Sequence, residues 1–213
     1  MEPAGRRCFL LGEFMQAIDT PESTLGRVHD ILAAGYHGVV RYVSSNTEAF
    51  PGKQLTQTEV AVIRSVAGMR IGLVWEAGFP TSGGYFSAVK GICDSVGALR
   101  MMTHLGVPKA VPLFFAVDYD ASSHDLEGPI AAYFEAIHAA FSRAGRLVGV
   151  YGSGLTGSYL KDRGLVHYRW RAQSQGFAGY AAADDFEILQ GASARVAGLD
   201  ADTNVVQDLA VLW

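Results

Sequence analysis

Hydrophobic and polar positions alternate along this chain in a repeating way. Short apolar runs are each followed by a longer mixed segment with helical spacing. The runs fall at 8–14 (CFLLGEF), 38–43 (GVVRYV), 70–77 (RIGLVWEA), 110–120 (AVPLFFAVDYD), 146–153 (RLVGVYGS), 167–173 (HYRWRAQ), 186–191 (FEILQG) and 202–206 (DTNVV). Each has the length and bounding residues of a strand. Between them, helices are expected over 21–35, 55–68, 85–106, 125–145 and 154–164. Several of these stop at a glycine, and Thr56 stands three residues before Glu59 in a capping-box pattern. Segment 175–185 (QGFAGYAAADD) reads as loop.

Strands that alternate with helices imply a parallel sheet with right-handed crossovers. Eight such strands in 213 residues fit an α/β fold, a compact TIM-like (β/α)8 barrel with helices reduced in the last third. A doubly wound open sheet is the rival, but neither G-x-G-x-x-G nor a P-loop is present to serve its usual nucleotide chemistry. No linker or internal repeat stands out, so residues 1–213 are expected to form one domain.

The polar exceptions inside this pattern carry the chemistry. Strands of a parallel barrel are buried on both faces, and active sites form at their C-terminal ends. Polar residues stand at those ends: Arg41, Glu76, Asp118 with Asp120, Tyr151, Gln173, Gln190, and Asp202 with Asn204. Side chains two apart on a strand share a face. Asp118 and Asp120 are therefore expected to point the same way, above Ala116 and Phe114. Glu76 sits above Val74 and Gly72, and Tyr151 above Gly149. Each position also has a plainer reading. An aspartate in a βα loop caps helices, a buried tyrosine or glutamine satisfies a local hydrogen bond, and Arg41 neutralises nearby carboxylates. Trp75 and Trp170 read as core.

Composition narrows the function classes. Hydrophobic residues make up 49% and charged residues 18%, with a net charge of −4. That balance and the lack of any basic block argue against a nucleic-acid partner. No apolar run approaches the roughly 20 residues of a membrane span. The start MEPAGRRCFLLGEF does not read as a secretory signal, because a glutamate interrupts its short apolar run. Cys8 and Cys93 show no metal or redox spacing and read as buried thiols. The six histidines lack ligand spacing, and YGSGLTG lacks the elbow of a serine hydrolase. No cofactor and no metal are expected.

The ordered set RYV, K-x-L-T-x-x-E (Lys53 to Glu59), GLVWE, FFAVDYD, GVYGSG, W-x-A-Q and D-x-N resembles a bacterial glycoside-hydrolase-like domain family. That family is similar in turn to the family-25 lysozymes. The resemblance runs from about Phe9 to Trp213. It implies a compact (β/α)8 barrel acting on peptidoglycan or a related cell-wall glycan. In those lysozymes the fourth strand ends Asp-x-Glu, with the glutamate as general acid; Asp118 matches the aspartate and Asp120 stands in the glutamate's place. Asp202 and Asn204 match a late Asp-x-Asn. The lysozymes' first-strand aspartate has Glu13 as its nearest counterpart. The expected catalytic set is thus Asp118, Asp120, Glu76 and Asp202, with Glu76 or Asp120 as acid, Asp118 as base or stabiliser and Asp202 as orienter. Arg41, Tyr151, Gln173, Gln190 and Asn204 are expected to bind substrate. The alternatives are a catalytically silent glycan-binding barrel and, third, a nonhydrolytic enzyme or an acid-lined metal site. The partner is expected to be the glycan alone, the protein a monomer, and its target the cell wall, reached by secretion or phage release.

Overall fold

A computed structural model describes residues 14–213. Eight strands close into a barrel in sequence order, β1 (Met15–Asp19), β2 (Gly38–Tyr42), β3 (Arg70–Trp75), β4 (Leu113–Ala116), β5 (Val148–Gly152), β6 (Tyr168–Arg171), β7 (Ile188–Val196) and β8 (Leu199–Val206). The helices between them are α1 (Val28–Ala33), α2 (Gln57–Ser65), α3 (Ala88–His104), α4 (Ser123–Asp125), α5 (Ala131–Arg143) and α6 (Gly154–Asp162). Pro129 lacks an N–H and lies in a π-helical turn, Leu126–Ile130, that joins α4 to α5.

The alternation of strand and helix holds, but the all-parallel expectation does not. Strands β1 to β7 pair in parallel, whereas β8 runs antiparallel to both β7 and β1. No crossover helix separates β7 from β8. Ala197 (φ 51°) and Gly198 (φ 82°) join them in a turn with two positive φ angles, the geometry of a tight hairpin.

Other boundaries shift for local reasons. Residues 8–13 of the expected first strand, Cys8 among them, lie outside the described residues. The barrel instead begins at Met15–Asp19, whose MQAID alternation has no apolar run to announce it. The helix expected from residue 21 starts only at Val28, because Thr24 is held in a turn by the Glu59 carboxylate (2.8 Å and 2.9 Å) and Gly26 has φ 76°. Thr56 caps α2 by accepting from the Glu59 N–H. The reciprocal half of the capping box is missing, because the Glu59 carboxylate is turned to Arg41 and Thr24. Cys93 is exposed rather than buried.

Strand parity divides the core in two. Ala17, Val40, Val74, Phe114, Trp170, Ile188 and Val206 fill the barrel, with Val211 and Leu212 beneath them. Alternate residues such as Ile18, Val39, Leu73, Phe115 and Val150 face the helices. Glycine makes room inside. A Cβ on Gly149 would lie 2.5 Å from Cδ1 of Phe114, whose ring is fully buried and packs edge-on against Trp170. Gly149→Ala should therefore destabilise by about 1–3 kcal/mol through overpacking. Urea unfolding checks this; an unchanged midpoint would show that the barrel interior has slack.

Candidate active site

On seven of the eight strands the inward parity leads to a polar group at the same end of the barrel; on β6 it runs from Trp170 through Ala172 to Ser174, and Gln173 reaches the mouth out of that alternation. Asp19 ends β1, Tyr42 ends β2, and Glu76 and Asp118 follow β3 and β4. Tyr151 belongs to β5, Gln173 follows β6, Gln190 is on β7 and Asp202 on β8. With Val74, Ala116 and Trp170 below, they line a cavity of about 260 Å³. Among the described residues, no three acidic or imidazole groups are arranged to hold a metal ion. The carboxylates ring the cavity and leave its centre to a ligand.

Three residues anticipated from the sequence stand elsewhere. Arg41 does not face the mouth. Its neighbours Val40 and Tyr42 take the inward parity, so Arg41 points outward and is fully buried. Its Nε donates to Glu59 Oε1 at 2.8 Å, and its guanidinium also donates to the carbonyls of Thr20 and Gly52. Asp120 is exposed and outside the cavity. Strand β4 stops at Ala116, the chain turns as Asp118 N–H donates to the Pro80 carbonyl, and parity no longer carries through to residue 120. Asp120 accepts instead from the Ala178 N–H at 2.8 Å, tying two mouth loops together. Asn204 lies one layer below the cavity. Its Oδ1 accepts from the Trp170 indole (2.9 Å) and its Nδ2 donates to Asp19 (2.8 Å).

The structure adds three groups that the sequence reading passed over. Asp19 pairs directly with Asp202 across the β1–β8 ladder. It is the acid that ends the first barrel strand; Glu13, the counterpart expected from the sequence, lies outside the described residues. Tyr42 lines the cavity beside it. Lys53, 5% exposed, donates to Glu76 Oε2 at 2.8 Å and sits 4.5 Å from the centre of the Tyr42 ring. The signal for Asp19 was the alternation MQAID ending in an acid. The signal for Lys53 was its place in K-x-L-T-x-x-E.

Gln190 organises one side of the cavity. Its Nε2 donates to Asp19 Oδ2 (3.1 Å) and Asp202 Oδ2 (3.3 Å), while its Oε1 accepts from the Tyr151 hydroxyl (2.8 Å) and the Gln173 N–H (3.2 Å). Burial pushes the Asp19 carboxyl up to about 7; the amides of Asn204 and Gln190 pull it back, and the charges of Asp202 and Glu76 add to the rise. Burial also raises Glu76, against the opposing effect of Lys53, with the charge of Asp118 adding to the rise. Asp118, which is open to solvent at the mouth, is raised by partial desolvation and then by Asp202, and no hydrogen bond from the described residues reaches its carboxylate. Burial keeps the Tyr42 and Tyr151 phenols neutral; the Tyr151 proton is given to Gln190, and the Tyr42 hydroxyl faces the cavity as a donor. The mouth therefore combines phenol and amide groups with carboxyls, one of which, Asp19, is raised to about 7 and exchanges its proton near neutral pH. That set suits a neutral polyhydroxylated ligand and proton transfer to it.

The sequence profile of the Rv2525c-like, glycoside hydrolase-like domain family matches residues 29–205. The uncharacterised protein YbfG of Bacillus subtilis is 30% identical over 156 residues, 68% of this chain and 21% of its own length. A second B. subtilis relative, FadG, is 26% identical and 27% covered, so the chain spans about a fifth to a quarter of the curated relatives it matches. The Tat-secreted protein Rv2525c of Mycobacterium tuberculosis has a similar fold, with TM-score 0.79 and 19% identity over 92% of this chain and 95% of that one. The modular autolysin LytC of Streptococcus pneumoniae aligns with TM-score 0.63 and 13% identity over 91% of this chain and 46% of that one.

Proposed function

The chain belongs to the Rv2525c-like, glycoside hydrolase-like domain family, and on that premise we propose that its carboxylate mouth binds a cell-wall glycan and hydrolyses a glycosidic bond in it. The observation that carries this reading is the ring of Asp19, Glu76, Asp118 and Asp202 around one cavity, completed by two neutral tyrosines. Glycoside hydrolysis needs one carboxyl that holds a proton and one that is charged. LytC, which shares the fold, has been captured with a synthetic peptidoglycan ligand. Rv2525c is Tat-secreted, which fits a target outside the cytoplasm.

Asp118 and Glu76 follow neighbouring strands and differ in what opposes their burial. Lys53 at 2.8 Å favours the charged form of Glu76. Asp118 has no such cation among the described residues and feels Asp202. In this proposal Asp118 gives its proton to the leaving sugar oxygen, and Glu76 is the charged partner that attacks or activates water. This reverses the order expected for these two residues. Asp19 and Asp202, bridged by Gln190, orient the sugar through its hydroxyls.

Leaving-group dependence tests the roles. Asp118→Asn should lower turnover of peptidoglycan and chitooligosaccharides at least about a hundredfold yet spare activated aryl glycosides, which need no acid. Glu76→Gln should depress both. Equal losses on both substrates in Asp118→Asn would refute the assignment. The second reading, a silent glycan-binding barrel, draws on Asp120 lying outside the cavity at the place where the lysozyme resemblance puts its acid. Wild-type protein that binds a glycan but turns over none would establish it.

A further inference from the structure

The cavity does not end at Asp202. Asp19, Tyr42 and Asp202 also line a second, open trough of about 550 Å³, whose far wall includes Phe50, Ser193, Arg195 and Asp200. Beyond Phe50 the surface continues as a further groove over Pro51 and Gly52. A single channel therefore leads from the carboxylate ring outward along one side.

Two features shape that channel. The first is the hairpin. Residues 206, 204, 202 and 200 of β8 share one face, which points into the barrel at Val206 and Asn204. Past the mouth the same face carries Asp202 and Asp200. On β7 the inward set is Ile188 and Gln190, and simple alternation would continue it with Ala192 and Ala194. A register irregularity between Gln190 and Ser193 changes this, so that Ser193 pairs with Asp202 and Arg195 with Asp200. Such a bulge re-aims the side chains beyond it. It brings Ser193 and Arg195 to the channel, whose wall also includes Ala194 and Ala201, while Val196 and Leu199 pack on the outer core. The second feature is the opposite wall. Phe50 is 44% exposed, in a turn closed by its backbone bonds to Thr47. The loop is anchored where the buried Arg41 donates to the Gly52 carbonyl at 2.8 Å.

We propose that this trough is a second saccharide subsite, with Phe50 as the stacking face for a sugar ring and the bulged β7–β8 hairpin as the polar wall that takes its hydroxyls. The proposal rests on the glycan reading of the central cavity and extends it: the substrate is a polymer lying across the mouth, not a mono- or disaccharide. A pyranose presents an apolar C–H face to an aromatic ring and a rim of hydroxyls to acids and serine. The trough offers both, and its continuity with Asp19, Tyr42 and Asp202 places such a ring next in line to the one held centrally.

Calorimetric titration of N-acetylglucosamine oligomers, dimer against hexamer, into the Asp118→Asn protein tests this without turnover. The hexamer should bind more tightly than the dimer. Adding Phe50→Ala should weaken hexamer binding about tenfold and leave dimer binding unchanged. Phe79→Ala, at another exposed aromatic outside the trough, should change neither. Equal affinity for both lengths, or an equal loss from Phe79→Ala, would overturn the second subsite and leave the central one standing. No binding at any length would overturn the glycan reading itself.

Discussion

Glu59→Ala is expected to cost the fold about 3–5 kcal/mol, because it leaves the Arg41 guanidinium buried without a counter-charge. Glu59 is 1% exposed and Arg41 fully buried. The carboxylate accepts from the arginine, from the Thr24 hydroxyl and from the Thr24 N–H, so three donors lose their acceptor at once. Removing both charges should be milder, because the buried guanidinium goes with its partner and only the Thr24 donors and the Thr20 and Gly52 carbonyls are left unpaired. Arg41→Met with Glu59→Leu replaces the pair by apolar volume, and such exchanges are often close to neutral. Urea midpoints of the single and double variants decide the matter. A single-variant loss below about 1 kcal/mol would mean that water reaches the arginine. The same pair fixes the Thr20 and Gly52 carbonyls, so Glu59→Ala protein should also show earlier proteolysis in the 46–52 loop.

Asp19→Asn is expected to stabilise the protein at pH 8 and to flatten its pH dependence. The native carboxyl is raised from 3.8 to about 7, and burial is the main cause. Between those values the unfolded chain releases its proton while the native chain keeps it. The unfolded state then binds fewer protons, so native stability falls as pH rises through the window and levels off above about 7. A shift of that size corresponds to roughly 4 kcal/mol. Asparagine keeps an oxygen for the Gln190 and Asn204 amides and has no proton to lose. Its stability should match wild type near pH 4 and exceed it at pH 8, with reduced turnover, a common trade at functional sites. Denaturant titrations at pH 4, 6 and 8 measure this; parallel curves for the two proteins would sink the idea.

Much of this was legible in the chain. Periodicity located seven of the eight strands near their observed places, since buried strands must be apolar and helices must have a stripe. Parity put Asp118, Glu76 and Tyr151 at the mouth, because β3, β4 and β5 are regular up to their ends. The same count, carried across β2, would have turned Arg41 outward and Tyr42 inward. For Asp120 the count ran past the end of the strand, where the backbone turns and alternation has no meaning. Strand direction is not written in periodicity at all. For β8 the only sign was the Ala197–Gly198 pair, which lacks the Asn or Asp usual in such turns. Asp19 was hidden because its strand buries only three residues and contains a glutamine.

The closing ladder sets a demand on the order of assembly. Met15 pairs with Val206 and Asp19 with Asp202, so the first and last strands must find each other across nearly the whole described chain. Closing so long a loop is entropically costly and comes late. Until it happens, eight strands form an open sheet, and β1 and β8 show bare backbone edges of the kind that recruit other chains. The carboxylate pair at that seam comes together only when the seam closes, so a growing chain has its hazard first and its chemistry last.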